Sequence, residues 1–483
     1  MNTLKDQTTE TAGEKTFFAG VFLLRLAFLP RDRALSSRHS AAVNSEPTAS
    51  AHPGFREAFR FWLKLGFISF GGPTGQIAIM HSELVEKRKW ISEARFLHAL
   101  NYCMLLPGPE ATQLATYIGW LLHKTRGGIM AGTLFVLPSA FILWALSYVY
   151  VIFGKVPAVE AVFYGLKPAV LAIVAVAAIR IGRRVLKNEV MWTLAGLAFV
   201  AIYFLKAPFP LILITAGIIG LLGGKWQPKK FIVISGHDGN KDSSGGIVLG
   251  DEAAAPGHTH PSVGRALKVC AVSLVLWWAP VFALGAWLGW DHTLFREGLF
   301  FSKAAMVTFG GAYAVLPYVG QQAVENYGWL NAGQMLDGLG LAETTPGPLI
   351  MVLQFVGFLG GWQHPGTLPP LAAATLGAFI TTWTTFVPCF LLIFLGAPHI
   401  EQMRGNERLT SALSGVTAAV VGVILNLAVW FGWHVLWPDS KRVDLFAVAV
   451  GIAAFVGMLK WKWDITLVVF ASGLLGILYK LLL

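Results

Sequence analysis

Long apolar stretches separated by short polar links follow one another from residue 57 to the end of the 483-residue chain. They fall near 57–80, 97–122, 127–153, 165–181, 190–206 and 208–223, then 266–290, then 299–320, 335–361, 367–396, 411–436, 443–459 and 463–483. Many approach the roughly 20 residues an α-helix needs to cross a bilayer, so the pattern predicts an all-α integral membrane protein. Between the first six and the lone seventh, residues 224–264 turn polar (KWQPKK, GHDGNKDSSGG) and read as a flexible linker. Residues 1–54 are mixed apart from FFAGVFLLRLAFLP, which carries Arg25 and is followed by no convincing cleavage site. That region reads as an interfacial or poorly ordered tail, with a signal-like segment as the other option. The expected organisation is therefore a tail (1–54), a first repeat (55–223), a linker (224–264) and a second repeat (265–483) that includes the extra helix at 266–290.

The two sets of six are related. Residues 61–109 return without a gap at 300–348: Lys64 pairs with Lys303, Phe70-Gly71-Gly72 with Phe309-Gly310-Gly311, and Trp90 with Trp329. Pro107-Gly108-Pro109 likewise pairs with Pro346-Gly347-Pro348. Apolar segments interrupted by Gly and Pro at corresponding places of two halves point to a secondary transporter's binding site. The odd central segment predicts two inverted-topology repeats, and charge tests that. Residues 81–96 hold Lys87, Arg88, Lys89 and Arg95, while their counterparts at 320–335 hold no Lys or Arg. Lys124 and Arg126 face a Lys/Arg-free 362–366, and one loop later the bias reverses, Lys155 standing against Arg404 and Arg408. Opposite positive bias in equivalent loops is what inversion requires; Lys441 and Arg442 run against it. Arg56, Arg60, the 87–95 cluster, Lys124, Arg126 and the 180–187 cluster all favour the cytoplasm. That is satisfied if the segments broken at FGG and PGP are re-entrant; kinked spans are the alternative.

Composition agrees: 55% of residues are hydrophobic and only 13% charged, with mean hydropathy +0.61. A net charge of +11 would suggest nucleic acid in a soluble chain, but here the cations sit in loops and mark topology, so no nucleic-acid partner is expected. Cys103, Cys270 and Cys389 lack metal-like spacing and read as small buried hydrophobes. The chain has no Walker A loop, GxSxG or HExxH, so no cofactor, metal or ATP-driven step is expected.

Each helix restarting after a Gly or Pro break points free N–H groups and a positive dipole end at the gap, which favours an anion; tight packing through small residues is the plainer reading. Lys64 and Lys303 each stand seven positions before the first Gly of their FGG, on the same helical face. As charges in apolar segments they are functional candidates, suited to a dianion near a pseudo-twofold axis; otherwise they snorkel, or pair with Glu57 or Glu297. Glu110 and Glu343 flank the two PGP breaks, and His98 aligns with Asp337. These four could carry protons, although Glu110 and Glu343 could equally cap half-helices and His98 could be structural. Gln76, Gln113 and Gln354 are candidate oxyanion donors. A membrane-embedded enzyme would need redox ligands or a nucleophile–base pair that the sequence does not offer. An anion channel would use the same charges without saturation or proton coupling.

At these residues the chain resembles the chromate ion transporter family in its long, two-domain form. The resemblance rests on SFGGP at 69–73, ELVEKRKW at 83–90, LLPGPEATQLATYIGW at 105–120 and GGIMAGTLFVLP at 127–138. In the second half it rests on TFGGAYAVLPYV at 308–319 and GLAETTPGPLIMVLQFVGF at 340–358. The family signature falls on Phe70, Gly71, Gly72, Trp90, Pro107, Gly108, Pro109, Gln113, Gly119, Phe309, Gly310, Gly311, Pro346, Gly347 and Pro348. The resemblance implies a bacterial inner-membrane exporter of chromate that confers resistance, driven by protons or the membrane potential. Its partners would be chromate or a sulfate-like oxyanion and the lipid bilayer, with a homodimer as an open option. Sulfate or another oxyanion, conceivably imported, is the rival substrate.

Overall fold

The FGG and PGP interruptions divide what the apolar pattern shows as single segments. In the computed structural model, which describes residues 52–70, 72–231, 248–249, 262–399, 407–438 and 442–482, α1 (Phe55–Ile68) stops before the first glycine pair and α2 (Gly72–His81) restarts after it. The tail at 1–51, most of the linker, Gly71, Arg404 and Lys441 lie outside the described residues. A π-helical turn at Ser82–Lys87 and a loop with Lys89 at φ 51° lead to Ser92, whose hydroxyl accepts from Arg95 N and caps α3 (Glu93–Leu105). After PGP comes α4 (Glu110–Phe153), broken within by His123 and by Lys124 at φ 56°, ψ −155°. The first set closes with α5 (Pro157–Val185), α6 (Glu189–Tyr203) and α7 (Phe209–Trp226), and α8 (Val263–Leu288) is the lone central helix.

The second set repeats this grammar. α9 (Thr293–Met306) and α10 (Ala312–Gln321) flank the second FGG, a π turn follows at Gln322–Asn326, and Gly328 takes the left-handed position that Lys89 holds in the first set. Asn331 then caps α11 (Ala332–Thr344) through a reciprocal bond with Gln334, which leads to α12 (Val352–Gln363). α13 (Pro370–Gly396), α14 (Glu407–Leu436), α15 (Leu445–Lys460) and α16 (Ile465–Leu482) complete the chain.

Ring contacts show the broken segments of each set folding back on one another. Trp90 meets Phe61 with centroids 4.9 Å apart, and His123 meets Phe55 at 5.5 Å, so residue 90 returns beside the middle of α1 and residue 123 beside its start. The second set does the same: Trp329 meets Phe300 at 5.7 Å, and His364 Nε2 lies 3.1 Å from the Gly328 carbonyl. Each set thus folds its broken segments back as two hairpins. Among the described residues seven helices are long and apolar enough to span a membrane, and α6 and α15 are shorter apolar helices. No strand occurs among these residues; Ile91 and Leu249 form a single parallel bridge. There Val248 and Leu249 donate to the Lys89 and Trp90 carbonyls (3.1 and 3.2 Å), so two residues of the expected flexible linker are docked, Leu249 in a buried position. Helices approach closely through small residues, Gly165 against Gly476 and Gly220 against Gly415, as membrane packing favours.

Candidate functional site

The four breaks meet in the middle of the fold, each against the opposite set. Gly108 N donates to the Thr308 carbonyl at 2.7 Å, and Gly347 N donates to the Ser69 carbonyl at 2.8 Å. These bonds are equivalents of one another, since Gly108 matches Gly347 and Ser69 matches Thr308 in the repeat. A backbone group left unpaired at membrane depth costs several kcal/mol, so each interruption is made tolerable by the other half. Ser69 and Thr308 also turn their hydroxyls back onto the Leu65 and Ala304 carbonyls, 2.6 Å each.

Neighbouring side chains obey the same symmetry. Gly108 (φ 120°) packs against Cys389 in α13, and Gly347 (φ 105°) against Ser139 in α4. Each of these side chains follows a proline within its helix, Pro388 or Pro138. Two glutamines serve the breaks as well. Gln113 donates to the Pro107 carbonyl at 2.7 Å and Gln76 to the Gly347 carbonyl, while Gln354 donates to the Ala140 carbonyl within α4 at 2.8 Å rather than to one at a break. Carbonyls at the breaks are thereby occupied, while α2, α4, α10 and the short helix Leu349–Met351 ahead of α12 begin there. The first turn of any helix has N–H groups without intrahelical partners, so the junction leans towards negative charge.

The start of α10 already has carboxylates beside it. Glu110 Oε1 stands 3.9 Å from where a side chain on Gly311 would begin, and Tyr313 donates its hydroxyl to Glu343, which is buried. The start of α2 differs: nothing lies within 4 Å of where a side chain on Gly72 would begin, and Phe70 is exposed. Arg184, read from sequence only as a topology charge, reaches Met104 Sδ at 3.8 Å and lies near enough to interact with Glu110.

Other sequence candidates lie away from this junction. Lys64 and Lys303 are exposed on α1 and α9. The pairings suggested for them do not form: Glu57 meets Arg88 at 3.4 Å, and Glu297 is fully buried with no hydrogen bond among the described residues. Lys64 instead acts on Glu83. Burial alone would raise that carboxyl, but a bond from Lys87 at 2.7 Å and the charges of Lys87, Lys64 and Arg88 hold it below its usual range. Asp337 accepts from Tyr150 at 2.9 Å and faces Lys167 at 3.7 Å in a cavity of about 290 Å³ that Lys480 also lines. His98 is half-buried on α3 and does not share that cavity. Among the described residues no cluster of His, Cys, Asp and Glu is arranged to hold a metal.

A family model described as chromate transporter matches residues 56–221 and 295–477, the two sets of helices and little else. The chain belongs to the chromate transporter family. Similar proteins include a chromate transport protein of Pseudomonas aeruginosa, 31% identical over 91% of this chain and 96% of that one. A probable chromate transport protein of Synechococcus elongatus is 29% identical over 87% and 93%, and a chromate transport protein of Cupriavidus metallidurans 27% over 92% and 97%. No solved structure matches the chain significantly.

Proposed function

We propose that this protein exports chromate across a bacterial inner membrane by alternating access, driven by protons or the membrane potential, and so confers resistance. Its two sets of helices would be inverted repeats, 55–223 and 265–483, with the charge-rich loops and the linker on the cytoplasmic side. The observation that carries the reading is the equivalent pair of bonds, Gly108 to Thr308 and Gly347 to Ser69, which gathers helix starts from both halves at one point. The oxyanion would be held at the breaks Phe70-Gly71-Gly72 and Phe309-Gly310-Gly311, by N–H groups at the helix starts that follow them, shaped by the two PGP turns (Pro107-Gly108-Pro109 and Pro346-Gly347-Pro348) and Gln113. Lys64 and Lys303 would supply attraction from two turns away. Glu110, already beside Gly311, and Glu343, bonded to Tyr313, are the coupling candidates at this junction, while Asp337 and His98 are candidates away from it. Support also comes from the chromate transport named for the Pseudomonas and Cupriavidus relatives.

Backbone N–H groups recognise charge and shape, and sulfate offers the same tetrahedral dianion, so the decisive measurement is competition. Everted membrane vesicles should accumulate labelled chromate saturably, more strongly with an imposed pH gradient, and sulfate should compete more weakly than chromate. Preferential accumulation of sulfate would make sulfate the substrate, and non-saturating flux would indicate a channel.

A further inference from the structure

Glu297 ends the triplet Phe295-Arg296-Glu297, which matches Phe55-Arg56-Glu57 in the first half one residue out of the repeat's constant spacing; Glu57 is exposed and meets Arg88, whereas Glu297 does neither. It lies in the second turn of α9, entirely buried, and neither carboxylate oxygen has a hydrogen-bond partner among the described residues. Its oxygens fit a seam between α12 and α13 that only glycine leaves open. A side chain on Gly360 would begin 2.9 Å or less from Oε1, and one on Gly377 would begin 2.9 Å from Oε2. On the same seam Thr381 Oγ1 is also buried without a partner, and the Trp329 ring closes one end.

Among the described residues no nearby charge compensates this acid. On its own helix Arg296 is taken by Asp291 at 2.8 Å, and Lys303 is exposed. α12 has no titratable residue, and the one in α13, Cys389, lies against Gly108. α8 carries Arg265, Lys268 and Cys270 at its other end, where Arg265 meets Phe394 and Trp120. Of the tyrosines on α10, Tyr313 bonds Glu343 and Tyr318 stacks on Phe209. An ionised carboxylate here would be an uncompensated charge at membrane depth, so the side chain is neutral in this conformation. His292, which caps the start of α9 one turn before Glu297, lies with its ring against Gly366, at the end where the hairpin loops of the second set lack Lys and Arg.

We propose that Glu297 is the proton-binding site of the transport cycle, loaded in this conformation from the side away from the positive loops and emptied when α9 moves off the α12–α13 seam. This rests on the exporter reading above and gives it a coupling residue. One proton is bound and one released per cycle at the same carboxyl oxygen, with no other bond made or broken.

The test uses the full-length protein in proteoliposomes, with labelled chromate and a pH-sensitive dye. In the wild type, one pH unit of imposed gradient supports about tenfold accumulation per coupled proton. E297Q keeps the shape of the neutral acid and cannot ionise. It should retain chromate exchange at equal concentrations while losing gradient-driven accumulation and chromate-linked proton flux. Unchanged gradient-driven accumulation in E297Q would overturn the proposal, and so would loss of exchange together with accumulation in a well-folded variant. If E297Q does not reach the membrane, E297D decides, because a pH profile identical to wild type sinks the assignment and a shifted one sustains it. Wild-type protein that exchanges chromate but ignores the gradient would refute proton coupling itself, and wild-type protein that moves no chromate would refute the exporter reading.

Discussion

Replacing Gly347 by Ala tests the crossed-break junction most directly. The new methyl carbon would stand 2.4 Å from Ser139 Cβ and 2.8 Å from its Oγ, far inside contact distance, on a backbone held at φ 105°. The unfavourable backbone region costs about 1–3 kcal/mol, and forcing a methyl into a packed site typically about 1–3 kcal/mol more. If the chain shifts to relieve the overlap, the Gly347 to Ser69 bond weakens, at about 1 kcal/mol. Gly347→Ala should therefore destabilise by roughly 2–6 kcal/mol. Gly108→Ala should cost less, because the atoms it meets at 2.9 Å, Cys389 Sγ and Gln113 Nε2, end side chains that can swing away. Adding Ser139→Gly to Gly347→Ala removes the overlap but not the backbone strain, and should recover about 1–3 kcal/mol. Denaturation midpoints of detergent-purified variants would be compared, with chromate accumulation alongside. A Gly347→Ala protein as stable and active as wild type, or one indifferent to Ser139→Gly, would refute this account of the junction.

Lys64 and Lys303 lie seven helical residues, roughly 10 Å, from their breaks; a dianion at that distance gains about 3 kcal/mol per lysine at an effective dielectric of about 20. Both are exposed, so screening reduces this: each alanine variant should slow chromate transport about tenfold at normal membrane levels, and unchanged transport from both would remove them from the mechanism. Lys124 occupies a region of backbone space suited to glycine at the break in α4, so Lys124→Gly should stabilise by about 1 kcal/mol, read as a raised midpoint. Burial pushes His123 below its usual pKa of 6.5, against the opposing pull of its bond to the Pro53 carbonyl. A depressed folded-state value means that its contribution is intact above pH 6.5 and is lost as pH falls through that lower value. Protease cutting near residues 52–58 should rise on acidification from about pH 7.5 to about pH 5, and a pH-independent rate would contradict this.

Much of this was legible in the sequence. Gly, Pro and Trp at a constant spacing announced the repeat, and loop charge pointed to segments that fold back as hairpins. The repeat could say that Gly108 equals Gly347, but not that each bonds across to the opposite half. That pairing depends on how the halves dock, and the contacts with Cys389 and Ser139 join residues hundreds of positions apart. The shared Pro-Ser and Pro-Cys steps in α4 and α13 were the available signal. Helical spacing placed Lys64 on the face of Gly71 but could not say whether that face turns inward, and in the fold it is exposed. Glu297 was hidden for the opposite reason: a lone acid near a lysine in sequence looks like half of an ion pair, and only the glycine seam shows that it stands alone.

The docked pair Val248–Leu249 has a consequence for the chain between the two halves. Because Leu249 is pinned to the loop at Lys89–Trp90, the connection to α8 is shortened to the dozen or so residues before Ser262. Any swing of the second half is thus on a short leash whose anchor is the turn between the first two hairpin helices. Cutting the chain after residue 250 would free that leash while leaving the anchor in place.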